Sequence, residues 1–404
     1  MNSDYPKLRP VEAIPAQENM ICLRDPLGFS DKILLLHPEA FFIVSMFDGL
    51  HSIRDIQAAY TRRFGDLLFS DKIRSLVEQL DSALFLDSDL FRTTRDRMVQ
   101  EFRRASVRPF SHAGISYETD GEALRKQLDE LFSELDGGDP DPPPGTLRGL
   151  IAPHIDIRRG GQCFASAYSE LIRSSVASTF VILGISHVPT NRRFVLTEKD
   201  YDTPLGPVTA DREFIQALAK GCDVDFFEDE FVHRNEHSVE FQAIFLRYIF
   251  GERGDVRIVP VLCASQDEVL TGKSPGEYTE FQEFAGSLKA LLKERGEQVC
   301  CIAGVDLSHL GQRFGQNLTL TSTFLKRAEE DDMDMIKKIL DRDAEGFFRH
   351  IYDERDRRNV CGVPAIYTLL KLVDADCTRL LRYAQSVEEQ TQSVVTFMAA
   401  GLYG

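Results

Sequence analysis

The chain has 404 residues, 43% of them hydrophobic and 27% charged, and a formal net charge of −17. Its length exceeds what one small core needs, so two domains are expected. The acidic balance argues against nucleic acid and anionic membranes as partners, because both are polyanions. No apolar run approaches the roughly 18 residues of a membrane span, and the N-terminus does not resemble a signal peptide. We therefore expect a cytoplasmic protein with reduced cysteines.

Residues 1–105 are predicted to form a small winged-helix-like α/β domain, because short apolar runs alternate with capping residues. The predicted elements are a strand over 32–36, a helix opening at Pro38, a helix over 53–64 capped by Ser52 and stopped by Gly65, a helix over 71–85 capped by Ser70, a closing strand or hairpin, and a polar helical linker over 91–105.

This domain resembles the PqqD-like peptide-recognition domains that accompany radical-SAM enzymes. The resemblance is carried by Leu36-His37-Pro38-Glu39-Ala40, by Phe47-Asp48-Gly49 and by the helix end at 80–85. It implies that the domain holds a peptide or partner on an exposed strand edge. A generic helical accessory domain remains the alternative, because many winged helices show such signals.

From residue 146 onward, apolar runs typical of buried parallel strands alternate with helical stretches. The predicted strands cover 147–152, 179–184, 256–262 and 299–305, and the helices include 163–174, 211–219, 238–250 and 280–294. Such alternation predicts an α/β fold with a largely parallel sheet flanked by helices on both faces.

Three of these predicted strands are followed closely by a histidine: His154, His187 and His309. In open α/β sheets, ligands bind outside the carboxyl ends of the strands. Imidazole is the commonest metal ligand and the usual acid/base group near neutral pH. The spacing therefore favours one shared site over three unrelated loop histidines.

Carboxylates and one cysteine lie near these histidines in the sequence. Glu236 and Glu240 share one helix face, and Asp306 precedes His309 by three residues. Taken alone, Glu236 is more simply a helix-start charge. Cys361 precedes a helix that Pro364 marks, and a helix N-terminus favours the thiolate. Four other cysteines are more simply interpreted as buried, unreactive thiols: Cys163, Cys222, Cys300 and Cys301.

A competing motif is His233-Arg234-Asn235-Glu236-His237, which matches the inverted zinc-peptidase pattern. That pattern needs both histidines on one helix face. Here Asn235 is expected to cap the helix, which would leave His233 outside it. Five-residue matches also arise by chance, so the zinc-peptidase interpretation is disfavoured.

An ordered series of motifs makes residues 106–404 resemble the Memo family, whose prokaryotic relatives are named AmmeMemoRadiSam system protein B. The segments are Ser111-His112-Ala113-Gly114, Ile151-Ala152-Pro153-His154, Gly184-Ile185-Ser186-His187, Asp202-Thr203-Pro204-Leu205-Gly206, Glu236-His237-Ser238-Val239-Glu240, Ile258-Val259-Pro260-Val261, Asp306-Leu307-Ser308-His309, Cys361-Gly362 and Tyr383-Ala384-Gln385-Ser386. Because the first segment belongs to the domain, the Pro-rich run at 137–145 is interpreted as an internal loop.

The resemblance implies a fold similar to the LigB-type class III extradiol dioxygenases, which use non-haem iron. It places metal ligands at His154, His187 and Cys361. It gives pocket-lining roles to Asp306, His309 and His237. With Glu236, which lies beside them in the sequence, these are the candidate catalytic residues. The resemblance also implies an iron or copper ion, and as partners a radical-SAM enzyme and an AMMECR-like protein.

The sequence departs from the family at three places around the expected pocket. Ile155-Asp156-Ile157 replaces a usual Ala-Gly-Tyr, Val188 replaces a second histidine, and Gln242 replaces another. The substrate therefore does not carry over. Two hypotheses remain: a metal-dependent, redox-active protein of oxidoreductase or dioxygenase type, and a non-catalytic scaffold that binds a peptide or a radical-SAM enzyme.

Overall fold

The computed structural model describes residues 4–16, 19–135, 144–251 and 256–404. The chain forms two compact units, Met1–Ala105 and Ser106–Gly404. Most of the Pro-rich run at 137–145, expected to be a loop, lies outside the described residues. Among the described helices, none combines the length and the apolar character needed to cross a membrane.

The first unit joins a small antiparallel sheet to four helices. Its elements are β1 (Glu12–Pro15), β2 (Ile21–Arg24), β3 (Leu34–Leu36), α1 (Pro38–Ser45), α2 (Ile53–Phe64), α3 (Ser70–Ser82) and α4 (Asp89–Arg104). The strands pair antiparallel in the order β1-β2-β3. Ile56, Leu80 and Phe85 are fully buried in a core built from residues of this unit alone.

Helix α2 is confirmed as predicted, with Ser52 accepting a hydrogen bond from the Asp55 amide and Gly65 ending the helix in a left-handed conformation. The predicted cap of α3 is wrong, because Ser70 is the first helical residue. The expected closing strand or hairpin is reduced to an isolated bridge between Leu86 and Leu8. The predicted helical linker over 91–105 is confirmed as α4, which Ser88 caps.

The second unit follows a β/α pattern through most of its length. Its elements are β4 (Val107–Arg108), α5 (Gly121–Ser133), β5 (Leu147–Ala152), α6 (Ile157–Ser174), β6 (Thr179–Ile185), β7 (Phe194–Leu196), β8 (Asp200–Tyr201), β9 (Thr209–Ala210), α7 (Arg212–Lys220), α8 (His237–Phe250), β10 (Arg257–Cys263), α9 (Glu268–Thr271), α10 (Thr279–Arg295), β11 (Val299–Gly304), β12 (His309–Gly311), α11 (Ser322–Leu340), α12 (Ala344–Asp353), α13 (Val363–Leu372), β13 (Cys377–Glu388) and β14 (Ser393–Tyr403).

A mixed sheet dominates this unit, with the order β12-β14-β5-β11-β6-β10-β7 and with β13 on β14 and β9 on β10. The four predicted strands β5, β11, β6 and β10 are parallel neighbours. The antiparallel β14 extends the sheet beyond β5. Phe180 and Val181, adjacent on β6, are buried in two different cores. The prediction of a largely parallel sheet covered on both faces is therefore confirmed.

This topology brings the chemistry-bearing loops to one edge of the sheet. His154 follows β5 by two residues, His187 follows β6 by two, and Asp306 follows β11 by two. Because these strands are parallel, their carboxyl ends lie at the same edge.

The first unit is expected to fold alone, because its core is complete within residues 1–105. A fragment of those residues should show helical circular dichroism and one cooperative thermal transition. Ile56→Ala, at a fully buried position, should lower its free energy of unfolding by roughly 2–5 kcal/mol. Leu67→Ala, at a position 79% exposed, is the matched control. A fragment without a cooperative transition would contradict the expectation.

Candidate metal site

Three histidines meet at the carboxyl edge of the sheet. His154 and His187 lie in the loops after β5 and β6, and His237 is the first residue of α8. Each offers a nitrogen, and these three atoms lie within 4.8 Å of one another. Ring centroids are 4.9 Å apart for His154 and His187 and 4.8 Å apart for His187 and His237. The structure thus joins two predicted ligands with His237, for which a pocket-lining or catalytic role was predicted.

The His154 ring is held from both sides. Its Nδ1 donates to the Gly304 carbonyl at 3.0 Å, because a carbonyl only accepts. The Nε2 atom then lies 3.4 Å from Cys361 Sγ and 3.7 Å from Asp306 Oδ2. Asp306 also accepts the His154 backbone N–H at 3.0 Å. His154 therefore presents Nε2, the atom a metal would use, to the predicted third ligand.

Glu236 fixes the other two imidazoles. Its carboxylate lies 3.0 Å from Nδ1 of His187 and 3.1 Å from Nδ1 of His237. It also accepts the Ser238 backbone N–H and so caps α8, where Asn235 was the predicted cap. The helix-start interpretation of Glu236 and the site interpretation both apply. Both Nδ1 atoms face a carboxylate, so both Nε2 atoms are left for a ligand.

Burial and charge set different protonation states for these groups. Burial lowers the pKa of His154 well below its usual value, and the neighbouring His187 adds to the effect. Burial lowers the pKa of His237 despite Glu236. For His187, whose side chain is 38% exposed, burial lowers the pKa, but Glu236 and Cys361 together outweigh burial and hold the pKa well above normal. Metal binding at His187 would therefore release a proton. His154 and His237 are thus neutral, the state that metal ligation requires.

Asp306 and Cys361 are both shifted toward their protonated forms. Burial raises the pKa of Asp306 to about 7, although the backbone N–H groups of His154 and Ile155 oppose the shift. Burial also raises the pKa of Cys361, and the adjacent His187 only partly offsets it. The sequence predicts that the N-terminus of α13 and a metal held by His154 and His187 together favour the Cys361 thiolate, and burial acts in the opposite direction.

His309 lies at the start of β12 and is tied to the loop before Cys361. Its Nδ1 faces the carbonyls of Leu307 and Asn359, each at 3.1 Å. Burial lowers its pKa to about 4, with a smaller contribution from the charge of His187. His309 is thus a neutral imidazole near the three-histidine cluster.

The inverted zinc-peptidase motif does not form a helical metal site. His233 lies in a separate 3-10 turn, Glu230–Arg234, before α8 begins. Its ring is fully buried, with Nδ1 2.7 Å from the Tyr201 hydroxyl and Nε2 donating to the Val195 carbonyl at 3.0 Å. Both nitrogens are used inside the protein, so His233 is structural.

His112 is a further imidazole at this edge that the sequence interpretation did not single out. Its ring centroid lies 5.3 Å from that of His237. Its backbone N–H donates to Glu240 at 3.0 Å, and Glu240 forms a buried ion pair with Arg108. Glu240 is thus the anchor for the Ser111-His112 segment. His112 was missed because it lies far from any predicted strand end. The Ser-His-Ala-Gly motif was the one sequence signal that could have pointed to it.

Two of the departures from the family pattern have structural roles. The amide of Gln242 donates to the Pro153 carbonyl at 2.8 Å, directly before His154. Tyr168 in turn donates to Gln242 at 2.7 Å. Asp156 caps α6 by accepting the Arg158 backbone N–H. These residues support the loop that carries His154.

Comparison with known proteins agrees with this architecture. The family described as Memo-like protein matches residues 108–401. A MEMO1 family protein of Aquifex aeolicus (strain VF5) is 27% identical over 401 residues, covering 98% of this chain and 100% of that protein. A MEMO1 family protein of Methanopyrus kandleri is 32% identical over 282 residues, covering 68% of this chain and 90% of the relative. One of Methanococcoides burtonii is 31% identical over 291 residues, covering 71% and 96%. With a family match over nearly all of its second unit and relatives above 30% identity, the chain belongs to the Memo-like family.

Proposed function

We propose that this protein is a metal-binding, redox-active member of its family, with iron or copper held by His154, His187 and Cys361. The observation that carries the proposal is the clustering of three histidine nitrogens within 4.8 Å. Each of the three rings has its Nδ1 at a carbonyl or carboxylate oxygen. Imidazoles that are oriented by a hydrogen bond at Nδ1 and bind the metal through Nε2 are the arrangement that metal-ligating histidines show.

The donor set fits a transition metal. Nitrogen and sulfur donors suit iron, copper and zinc, whereas magnesium and calcium prefer oxygen. His154 is the shared member, because its Nε2 lies close to Cys361 and its ring packs against both His187 and His237. His237 stands beside the proposed ligands as a further nitrogen donor. Bound iron or copper would supply one-electron redox chemistry to the pocket.

The remaining groups would bind, orient and move protons. Glu236 orients His187 and His237 through their Nδ1 atoms. With its pKa near 7, Asp306 can hold or release a proton at Oδ2, 3.7 Å from His154 Nε2. His309, neutral near physiological pH, would accept a hydrogen bond at Nε2 and so orient a bound ligand, because its Nδ1 is committed to carbonyls. With His237 as a further nitrogen donor, each of the four predicted catalytic residues has a proposed role.

Cys361→Ser is expected to keep the fold and lose most of the metal, because a hydroxyl is a poor replacement for a thiolate ligand. Cys301→Ser is the matched control. Cys301 is 1% exposed in β11, so this change should lower stability and leave metal content unchanged. Metal content by mass spectrometry and the thermal midpoint, measured in parallel after growth with added metals, check both expectations.

Four outcomes would contradict parts of this proposal. Full metal in Cys361→Ser with loss in Cys301→Ser would place the site on the wrong cysteine. Full metal in Cys361→Ser with loss in His237→Ala would make His237 the third ligand. Wild-type protein free of iron, copper and zinc would exclude the metal function altogether, and zinc as the sole metal would exclude the redox function.

A second candidate function, peptide or partner binding by the first unit, is favoured by the edge of its sheet. Within the described residues, β3 pairs on one side only, with β2. Ile33 and Leu35 beside this edge are 66% and 59% exposed. An apolar open edge is a surface on which an added strand can pair. The proposed partners are the radical-SAM enzyme and the AMMECR-like protein of the same system, or a peptide.

Leu35→Pro, in the middle of β3, is expected to weaken binding of the companion radical-SAM enzyme, because proline removes a strand N–H. Leu67→Ala, exposed elsewhere in the unit, should leave binding unchanged. Titration followed by calorimetry measures both. Equal binding by a chain that begins at Val107 would remove this role from the first unit.

A further inference from the structure

We propose that Arg358 is a positioning residue of the metal site. It fixes the loop that leads to Cys361 and is hydrogen-bonded to His309. This inference rests on the proposed metal function for its significance, but its geometry is independent of any metal. Arg358 lies outside the histidine cluster and three residues before Cys361. Its side chain is only 2% exposed, so the loop is anchored inside the protein.

The guanidinium group of Arg358 is bound on three sides. Nη1 donates to Asp332 Oδ1 at 2.7 Å, and Nε donates to Glu354 at 2.8 Å. Nη2 lies 3.1 Å from Nε2 of His350, which must accept because the guanidinium has donors only. The partners lie on α11, at the end of α12 and within α12. Arg358 thus ties its own loop to two helices.

Asp332 extends this anchor into the sheet. It is fully buried and accepts the Ser308 hydroxyl at 2.6 Å and the Tyr383 hydroxyl at 2.8 Å. Ser308 lies between Asp306 and His309, two residues of the site. The same carboxylate therefore holds Arg358 and the segment that follows β11.

The anchored loop has a backbone that needs external support. Arg355, Asp356 and Asn359 have φ values of 54°, 45° and 50°. Residues other than glycine rarely adopt positive φ, and such strain persists only where surrounding contacts impose it. These three residues fall within the six positions before Cys361. The contacts of Arg358 supply such a constraint, because they include a buried ion pair with Asp332.

The loop transmits this position to both site residues. The Arg358 carbonyl accepts the His309 backbone N–H at 2.7 Å. The backbone carbonyl of Asn359 accepts from His309 Nδ1 at 3.1 Å, and the side-chain amide of Asn359 donates to the His309 carbonyl at 3.1 Å. Two residues further on, Cys361 Sγ lies 3.4 Å from His154 Nε2 and 3.6 Å from the Asp306 carbonyl oxygen. Displacing residues 355–360 would therefore move Cys361 and His309 together.

The test uses the full chain with Arg358→Lys and Asp332→Asn. Lysine keeps the charge but cannot reach Asp332, Glu354 and His350 together, and asparagine keeps the volume of Asp332. The first readout is the rate at which iodoacetamide alkylates Cys361 in metal-free protein, followed by peptide mass mapping. The second is the affinity for Cu(II) and Fe(II), and the third is the thermal midpoint.

In both variants, iodoacetamide should alkylate Cys361 about tenfold faster or more, because a loop without its anchor opens more often. A tenfold rise in the open population corresponds to about 1.4 kcal/mol. Both variants should bind metal about 10- to 100-fold more weakly, as expected when support of a ligand is lost. The control is Glu170→Gln, which alters a buried carboxylate on α6 that accepts from Ser174 and Tyr403. It should lower the thermal midpoint and leave both other readouts at wild-type values.

Wild-type alkylation rates and metal affinities in Arg358→Lys and Asp332→Asn would overturn the inference. Changes no larger than those of Glu170→Gln at a similar thermal midpoint would also overturn it, because the network would then be merely structural. Failure of the wild-type protein to bind metal would instead refute the proposed function. The alkylation rates would still decide whether Arg358 positions the Cys361 loop.

Discussion

The carboxylate of Glu236 is the interaction on which the candidate site most depends. It accepts hydrogen bonds from the rings of His187 and His237 and from the first turn of α8. Burial raises the pKa of Glu236, but His187 and His237 lower it by more. The pKa therefore lies well below its usual value, and the carboxylate stays ionised. A buried carboxylate is costly unless it is paired and hydrogen-bonded. His187 and His237 supply that pairing and hydrogen bonding for Glu236, so the carboxylate and the two rings stabilise one another.

Other buried carboxylates act around this centre in the same way. Glu240 pairs with Arg108 and holds the His112 segment, and Asp332 pairs with Arg358 and holds the Cys361 loop. Removing one partner of such a pair leaves an uncompensated buried charge, at a cost of roughly 3–5 kcal/mol. Residues distant in sequence are thereby fixed at one edge of the sheet. The parallel strands bring the loops together, and the buried ion pairs set their final positions.

The central strands could be predicted from the sequence because each is a continuous apolar run. Residues 147–152 match β5, and the other three runs fall within a residue of β6, β10 and β11 at each end. The hairpin β13–β14 was not predicted, since its pairing with β5 depends on contacts remote in sequence. In the first unit, β1 and β2 are only four residues long and of mixed polarity. Such short strands carry little periodic signal.

The site could be predicted in outline, because histidines at the ends of parallel strands must lie near one another. Two features could not be predicted. Whether Glu236 caps a helix or orients histidines depends on where its oxygens point, and the structure shows that it does both. The raised pKa of Cys361 depends on tertiary burial, whereas the sequence displays only the helix that follows.

The most direct test of the metal centre is the metal content of His154→Ala beside that of the wild-type protein. His154 belongs to the ligand set with Cys361 and to the cluster with His237, so its loss affects either arrangement. The account predicts iron or copper in the wild-type protein and little metal in His154→Ala, with a cooperative thermal transition in both. Metal content in folded His154→Ala equal to that of the wild-type protein would contradict it.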